Sequence, residues 1–126
     1  MGISEDFGIG ELARRARRSV HAIRWYETQG LMPRVVRDRG GRRRYLPWHA
    51  EWLAFLDRLK VSGMPVREMK RYAQLIAQGE AGMPEQEALL RAHRRTIEER
   101  QGQLAEALAL IDRKLKHYER RKRGSG

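Results

Sequence analysis

Residues 9–33 read IGELARRARRSVHAIRWYETQGLMP, and this stretch decides the fold. Apolar residues at positions 9, 12, 13 and 16 make a one-sided stripe two turns long, the pattern of a short amphipathic helix. Ser19 carries the side chain of an N-cap, whose oxygen satisfies a free backbone N–H at the start of a second helix running to Gln29. Val20 and Ile23 lie on the apolar side of that helix, continued by Tyr26 or Glu27. Gly30 follows where a helix ends on a left-handed residue. Two short helices joined by a tight turn are a helix-turn-helix.

Downstream, Leu31 to Tyr45 contains Pro33, the pair Gly40-Gly41 and six arginines. Val35 and Val36 precede the glycines and Tyr45 follows them, which predicts a short hairpin with a glycine turn. It is too polar for a core element and sits where a basic wing would. Pro47 suits the first turn of a third helix, with Trp48, Trp52, Leu53, Phe55, Leu56, Leu59 and Val61 as its apolar residues up to Ser62-Gly63. Pro65 opens a fourth, with Val66, Met69, Tyr72, Ala73 and Ile76 on one face, ending at Gly79–Gly82. These two helices hold most of the large apolar residues and are the expected packing partners of the first two.

From Pro84 to about Arg120 no proline interrupts the chain. Leu90, Ile97, Leu104, Ile111 and Tyr118 recur every seven residues, interleaved with Arg94, Gln101, Leu108 and Leu115. At 1.5 Å per residue such a helix is on the order of 55 Å long, too long for an 80-residue head to cover. Its stripe needs a partner, and an identical chain is the simplest one. Arg94 and Gln101 make the first part of the seam polar and could fix register, while Gly102 costs about 1 kcal/mol of helix propensity. The expected organisation is a mainly α chain: a winged helix-turn-helix domain over 1–82, an antiparallel coiled-coil dimerisation helix over 83–120, and a frayed basic tail over 121–126.

The 126 residues carry 27 Lys and Arg against 16 acids, a net charge of +11, which favours a polyanionic partner, nucleic acid before anionic membrane. The excess is +6 over residues 1–48, +1 over 49–82 and +4 over 83–126, two working surfaces joined by a near-neutral structural piece. With no cysteine, disulfides and thiolate metal sites are excluded, and a cytoplasmic location is expected. The longest apolar run, Trp52–Leu56, is far short of the roughly 20 residues that span a bilayer. The first residues, with Glu5 and Asp6, lack the apolar centre of a secretory signal.

Three strings, Ile23-Arg24-Trp25-Tyr26-Glu27 with Gly30-Leu31, Gly41-x-Arg43-x-Tyr45, and Gly63-Met64-Pro65, occur in this order ahead of the lone long helix. Together they resemble the MerR family of bacterial transcription regulators over nearly the whole chain. Two departures stand out. Arg17 and Arg18 occupy the helix-turn-helix turn where the family usually has a glycine and a small apolar residue, and Arg42 replaces an aromatic in the wing. A positive φ in such a turn costs a residue with a β-carbon about 1 kcal/mol or more, so either the turn is reshaped or Arg17 and Arg18 gain contact with phosphate.

The resemblance implies that the helix from Ser19 lies in the major groove, with Val20, His21 and Ala22 facing base edges. Val20 and Ala22 could meet thymine methyls and His21 a base edge, with an exposed surface histidine as the lesser reading of His21. Arg24 and Tyr26 answer to a phosphate-clamping pair, with Tyr26 alternatively a core ring and Trp25 either core or groove edge. Arg43 and Tyr45 answer to wing contacts with phosphate or the minor groove, with Arg42 and Arg44 facing away. Lys60 answers to a backbone contact ahead of the Gly-Met-Pro turn, or is an ordinary surface lysine.

The implied function is that of a sequence-specific transcriptional regulator, bound as a homodimer to double-stranded DNA at a dyad-symmetric promoter. It would bend and underwind an overlong spacer for RNA polymerase, at a deformation energy of a few kcal/mol. The alternative is an architectural or excision-type protein of the same fold that bends DNA without promoter control. No nucleophile–base pair, metal set or phosphate loop argues for an enzyme, and no cofactor or metal is expected. His93 and His117, 24 residues apart on one helix, are too distant to share an ion within a chain, and a site formed across an antiparallel dimer is the disfavoured alternative. A small-molecule effector is left possible, with Gln78–Met83 as either its contact or a plain linker.

Overall fold

Eight elements follow one another in the computed structural model, which describes residues 5–124. They are α1 (Ile9–Ala16), α2 (Val20–Thr28), β1 (Val36–Arg37), β2 (Arg43–Arg44), α3 (Pro47–Val61), α4 (Val66–Ala77), a 3₁₀ turn (Gly79–Gly82) and α5 (Met83–Gly124). The chain divides into two units, residues 1–89 and residues 90–126.

In the first unit α1 packs on both α2 and α3, and α3 packs on α4. Leu12, Ile23, Leu31, Leu53, Leu56, Met69 and Leu75 are almost completely buried. Replacing a core leucine such as Leu53 by alanine costs about 2–5 kcal/mol. Aromatic rings extend this core along one side of α3: Trp52 stacks on Trp48 at 5.2 Å and on Tyr72 of α4 at 5.7 Å.

The helix ends are set by local chemistry. Ser19 Oγ accepts the Ala22 N–H at 3.0 Å, the expected N-cap of α2. Gly30 takes φ +74° beyond the other end, letting Leu31 N–H reach the Tyr26 carbonyl at 2.9 Å. The following Leu31 carbonyl accepts Trp52 Nε1–H at 2.7 Å, which ties the end of α2 to α3. The first helix closes differently. Arg17 adopts φ 54°, ψ 47°, and Arg18 N–H donates to the Ala13 carbonyl at 3.0 Å. An arginine thus takes a left-handed position that glycine would fill without steric cost.

Two stretches differ from the sequence expectation. The 78–83 segment, read as a linker or ligand loop, is a 3₁₀ turn with Gly82 buried against the Leu75 carbonyl. A β-carbon at Gly82 would overlap that backbone oxygen, so the close approach needs glycine. At the C-terminus α5 continues to Gly124, taking in residues 121–124 of the expected frayed tail. Arg121, Lys122 and Arg123 lie in its last turn, where cations complement the helix dipole. Residues 125 and 126 of that tail lie outside the described residues.

The second unit is the remainder of α5. Leu104, Leu108, Ile111, Leu115 and Tyr118 follow one another at intervals of four and three residues, so they share one face, and each is 53–65% exposed. Leu90 and Ile97 are of intermediate exposure. No helix among the described residues is long and apolar enough to cross a membrane.

Candidate nucleic-acid interface

Two grooves flank α2, one of them rich in arginine. On one side of the helix, a groove is lined by Gly8 and Ile9 at the start of α1, by Arg24, and by Arg37, Arg42, Arg43 and Arg44 of the wing. Five guanidinium groups beside the N–H groups at the start of α1 give this groove a positively charged lining.

The wing is held in shape by short-range contacts. β1 and β2 pair antiparallel with Val36 opposite Arg44 and Arg37 opposite Arg43. At the tip, Asp38 Oδ1 accepts the N–H groups of Gly40 and Arg42, both at 2.9 Å, folding the turn around one carboxylate. At the base, Phe7 and Tyr45 exchange two backbone hydrogen bonds of 2.8 Å, joining the segment before α1 to the wing. Arg44 donates Nε–H to Asp6 at 3.1 Å, and both Arg42 and Arg44, expected to face away from Arg43, line the same groove with it.

Glu27, near the end of α2, links helix and wing. Its carboxylate accepts the Tyr45 hydroxyl and lies 2.7 Å from Arg43 Nε. The side chain is only 9% exposed, and burial pushes its carboxyl up against the pull of Arg43, Arg37 and Arg24. Sequence reading missed this role. The only signal was Glu27 falling on the apolar side of α2, one turn after Ile23.

On the other side of α2, a second groove is lined by Arg18, His21, Ala22, Trp25, Tyr26, Asp57 and Lys60. His21 is exposed, Val20 and Ala22 partly so, and Lys60 Nζ sits 5.5 Å from the centre of the Trp25 ring. Arg17, Ser19 and Arg24 are exposed on the same helix-turn-helix.

Three residues expected at DNA are placed otherwise. Tyr26 is 4% exposed and belongs to the core, whereas the neighbouring Trp25 is 41% exposed and takes the outer position. Tyr45 is fully buried, with its hydroxyl on Glu27 and its ring edge-on to His49, so it supports the wing from beneath. Arg18 is ion-paired with Asp57 of α3 and is mostly buried. Helical periodicity does not show how deep the Tyr26 ring lies in α2, and nothing local in the wing shows that Tyr45, paired with Phe7 at its base, is covered.

His49 anchors the wing's exit. It is fully buried, and Nε2 lies 2.7 Å from the Pro33 carbonyl while Nδ1 accepts the Leu46 N–H at 2.9 Å. A carbonyl only accepts, so the proton is on Nε2 and the ring is neutral. Burial, aided by Arg34, holds its pKa below the usual histidine range. Among the described residues no group of His, Asp and Glu is arranged to hold a metal ion.

Residues 7–76 match the model of the MerR HTH family of regulatory proteins. An uncharacterized HTH-type transcriptional regulator of Haemophilus influenzae is 31% identical over 104 residues, covering 82% of this chain and 77% of its own. Among solved structures, HiNmlR, described as a MerR family regulator lacking the sensor domain and bound to promoter DNA, superposes with a TM-score of 0.75 at 28% identity, covering 93% of both chains. A putative MerR family regulator from Listeria monocytogenes gives a TM-score of 0.78 at 26% identity, over 90% of this chain and 86% of that one.

Proposed function

The chain belongs to the MerR family of helix-turn-helix transcription regulators, and on that premise we propose that it works as a homodimer on a dyad-symmetric promoter, bending and underwinding the spacer between the two polymerase elements. It is a DNA-binding transcription regulator and not an enzyme. The observation that carries the finer reading is the pairing of the five-arginine groove with an unpartnered apolar stripe on α5. The groove supplies phosphate contacts that fix one head on the duplex. The stripe, from Leu90 and Ile97 through Leu104, Leu108, Ile111, Leu115 and Tyr118, supplies the seam for a second copy as an antiparallel coiled coil.

In this reading His21, with Val20 and Ala22, faces base edges from the major groove. Arg17, Ser19, Arg24, Trp25, Lys60 and Arg43 hold backbone or groove edges around it. A dimer fixes the distance between two heads, so its binding energy can be spent on deforming DNA between them, at a few kcal/mol for bends of tens of degrees. RNA polymerase is the partner that reads the deformed promoter, in the cytoplasm. A small-molecule effector would act by shifting the dimer's geometry.

Selection of bound duplexes from a random pool at fixed salt, with sedimentation of the free protein, tests this reading. A dimer that enriches a dyad within an overlong promoter spacer is the expected result. Enrichment of bent or AT-rich DNA without a dyad would replace it with the architectural alternative.

A further inference from the structure

The wing and the recognition helix are separate pieces of chain, yet one acid spans them. Glu27 is the carboxylate that α2 brings to the wing beside a groove lined by five arginines, and it holds Arg43 through Nε at 2.7 Å. Next to a polyanion such a charge weakens attraction, because each neutralised cation removes part of the counterion-release term. Its placement therefore has to be explained by what it fixes. Tyr45, fully buried, locks the Glu27 carboxylate from below. The Arg43 side chain remains half exposed, so it is held without being hidden.

We propose that Glu27 is a specificity-determining positioning residue, which fixes Arg43 of the wing relative to α2 and so trades raw affinity for discrimination between DNA sequences. This rests on the reading of α2 and the wing as the DNA-contacting elements. A mobile arginine near the duplex finds any phosphate, and phosphates carry no sequence information. An arginine held in one orientation relative to a helix in the major groove has one place to bind. Only where the base edges or groove width suit that place does it gain full contact. Glu27 thus couples what the wing meets to what the helix reads.

The test compares binding to the duplex that the wild-type chain enriches from a random pool with binding to a scrambled duplex of equal length, for wild type, Glu27→Gln, Arg43→Ala and the double variant. Glutamine keeps an acceptor for the Tyr45 hydroxyl and removes the charge that holds Arg43. The expected result for Glu27→Gln is unchanged or tighter binding to the scrambled duplex, with the preference for the selected duplex reduced about tenfold. In the Arg43→Ala background the same substitution should leave the preference unchanged, because Glu27 acts through Arg43.

A preference equal to wild type would overturn the proposal, as would an equal loss on both duplexes or an undiminished effect of Glu27→Gln without Arg43. If Glu27→Gln lacks a cooperative thermal transition, Arg43→Lys carries the test alone. It keeps the charge but not the planar fork, and should lose preference while keeping scrambled-duplex affinity; retained preference overturns the proposal. If the wild-type chain itself enriches no sequence, the regulator reading fails first.

Discussion

Arg18, in the turn between α1 and α2, is ion-paired with Asp57 in the middle of α3. Arg18 is 18% exposed and Asp57 46%, and Arg18 Nε has no hydrogen-bond partner among the described residues. The pair joins the helix-turn-helix to its supporting helix at the point where DNA contact would otherwise be expected of an arginine. Asp57→Ala should destabilise the protein by about 1–3 kcal/mol, because it leaves a mostly buried guanidinium uncompensated. Arg18→Val, which removes the mostly buried charge, should cost less than Asp57→Ala, since the Asp57 carboxylate left behind is 46% exposed and stays hydrated. The salt slope of DNA binding separates Arg18 from Arg24. Arg24→Ala should lower it by about one, while Arg18→Val leaves it unchanged. A reduced slope for Arg18→Val would return Arg18 to the contact surface.

Arg17 tests the cost of a left-handed arginine at φ 54°. Arg17→Gly should raise stability by about 1 kcal/mol, the steric term outweighing the extra freedom glycine gives the unfolded chain. Thermal melts should move upward by about 4–8 °C. The same variant should bind DNA more weakly if Arg17 reaches phosphate, so stability and affinity would change in opposite directions.

His49 makes stability depend on pH near neutrality. Its folded pKa lies below the unfolded one because burial disfavours the imidazolium. The associated stability is therefore fully present above the unfolded pKa of about 6.5. It is lost as pH falls below that value towards the lower folded pKa. Glu11, held at about 2 chiefly by hydrogen bonds from Arg14 and then Arg15, titrates below this window. Denaturant midpoints from pH 8 to 5 should fall more steeply for wild type than for His49→Asn, which keeps an acceptor for Leu46 N–H and does not titrate. Parallel curves would show that His49 accepts its proton without cost.

Gly82 marks the tight join between α4 and α5. Leu75 presents its carbonyl to Gln78 N–H and to Gln86 Nε2–H, at 3.1 and 3.0 Å, in the space that a β-carbon at position 82 would invade. Gly82→Ala should cost about 1–3 kcal/mol by forcing these groups apart. Chemical denaturation reads this directly, and a loss under 0.5 kcal/mol, roughly the effect of an ordinary surface change, would mean that the turn yields freely.

The stripe on α5 makes a prediction about assembly. Leu108 and Ile111 are 61% and 53% exposed, so Leu108→Lys or Ile111→Lys should leave the chain folded. Either variant should sediment as a monomer and lose affinity for a two-half-site duplex while keeping affinity for a half-site. A variant that stays dimeric would place the seam elsewhere.

The sequence by itself determined the order of the elements. Ser19 as a cap, Gly30 as a stop, Pro47 at a helix start and the seven-residue spacing of Leu104, Ile111 and Tyr118 act through backbone geometry and periodicity, which are local properties. The left-handed turn was readable as a possibility at Arg17 for the same reason. Only the tertiary structure decided which polar and aromatic groups meet. It buried Tyr26 and left Trp25 outside, set Tyr45 beneath the wing, and turned Arg18 to Asp57 and Arg43 to Glu27. Glu27 and Arg43 are 16 positions apart and Arg18 and Asp57 are 39 apart. Periodicity tells which face a residue is on. It does not tell which charge from a distant segment will be there to meet it, and that depends on how the helices pack.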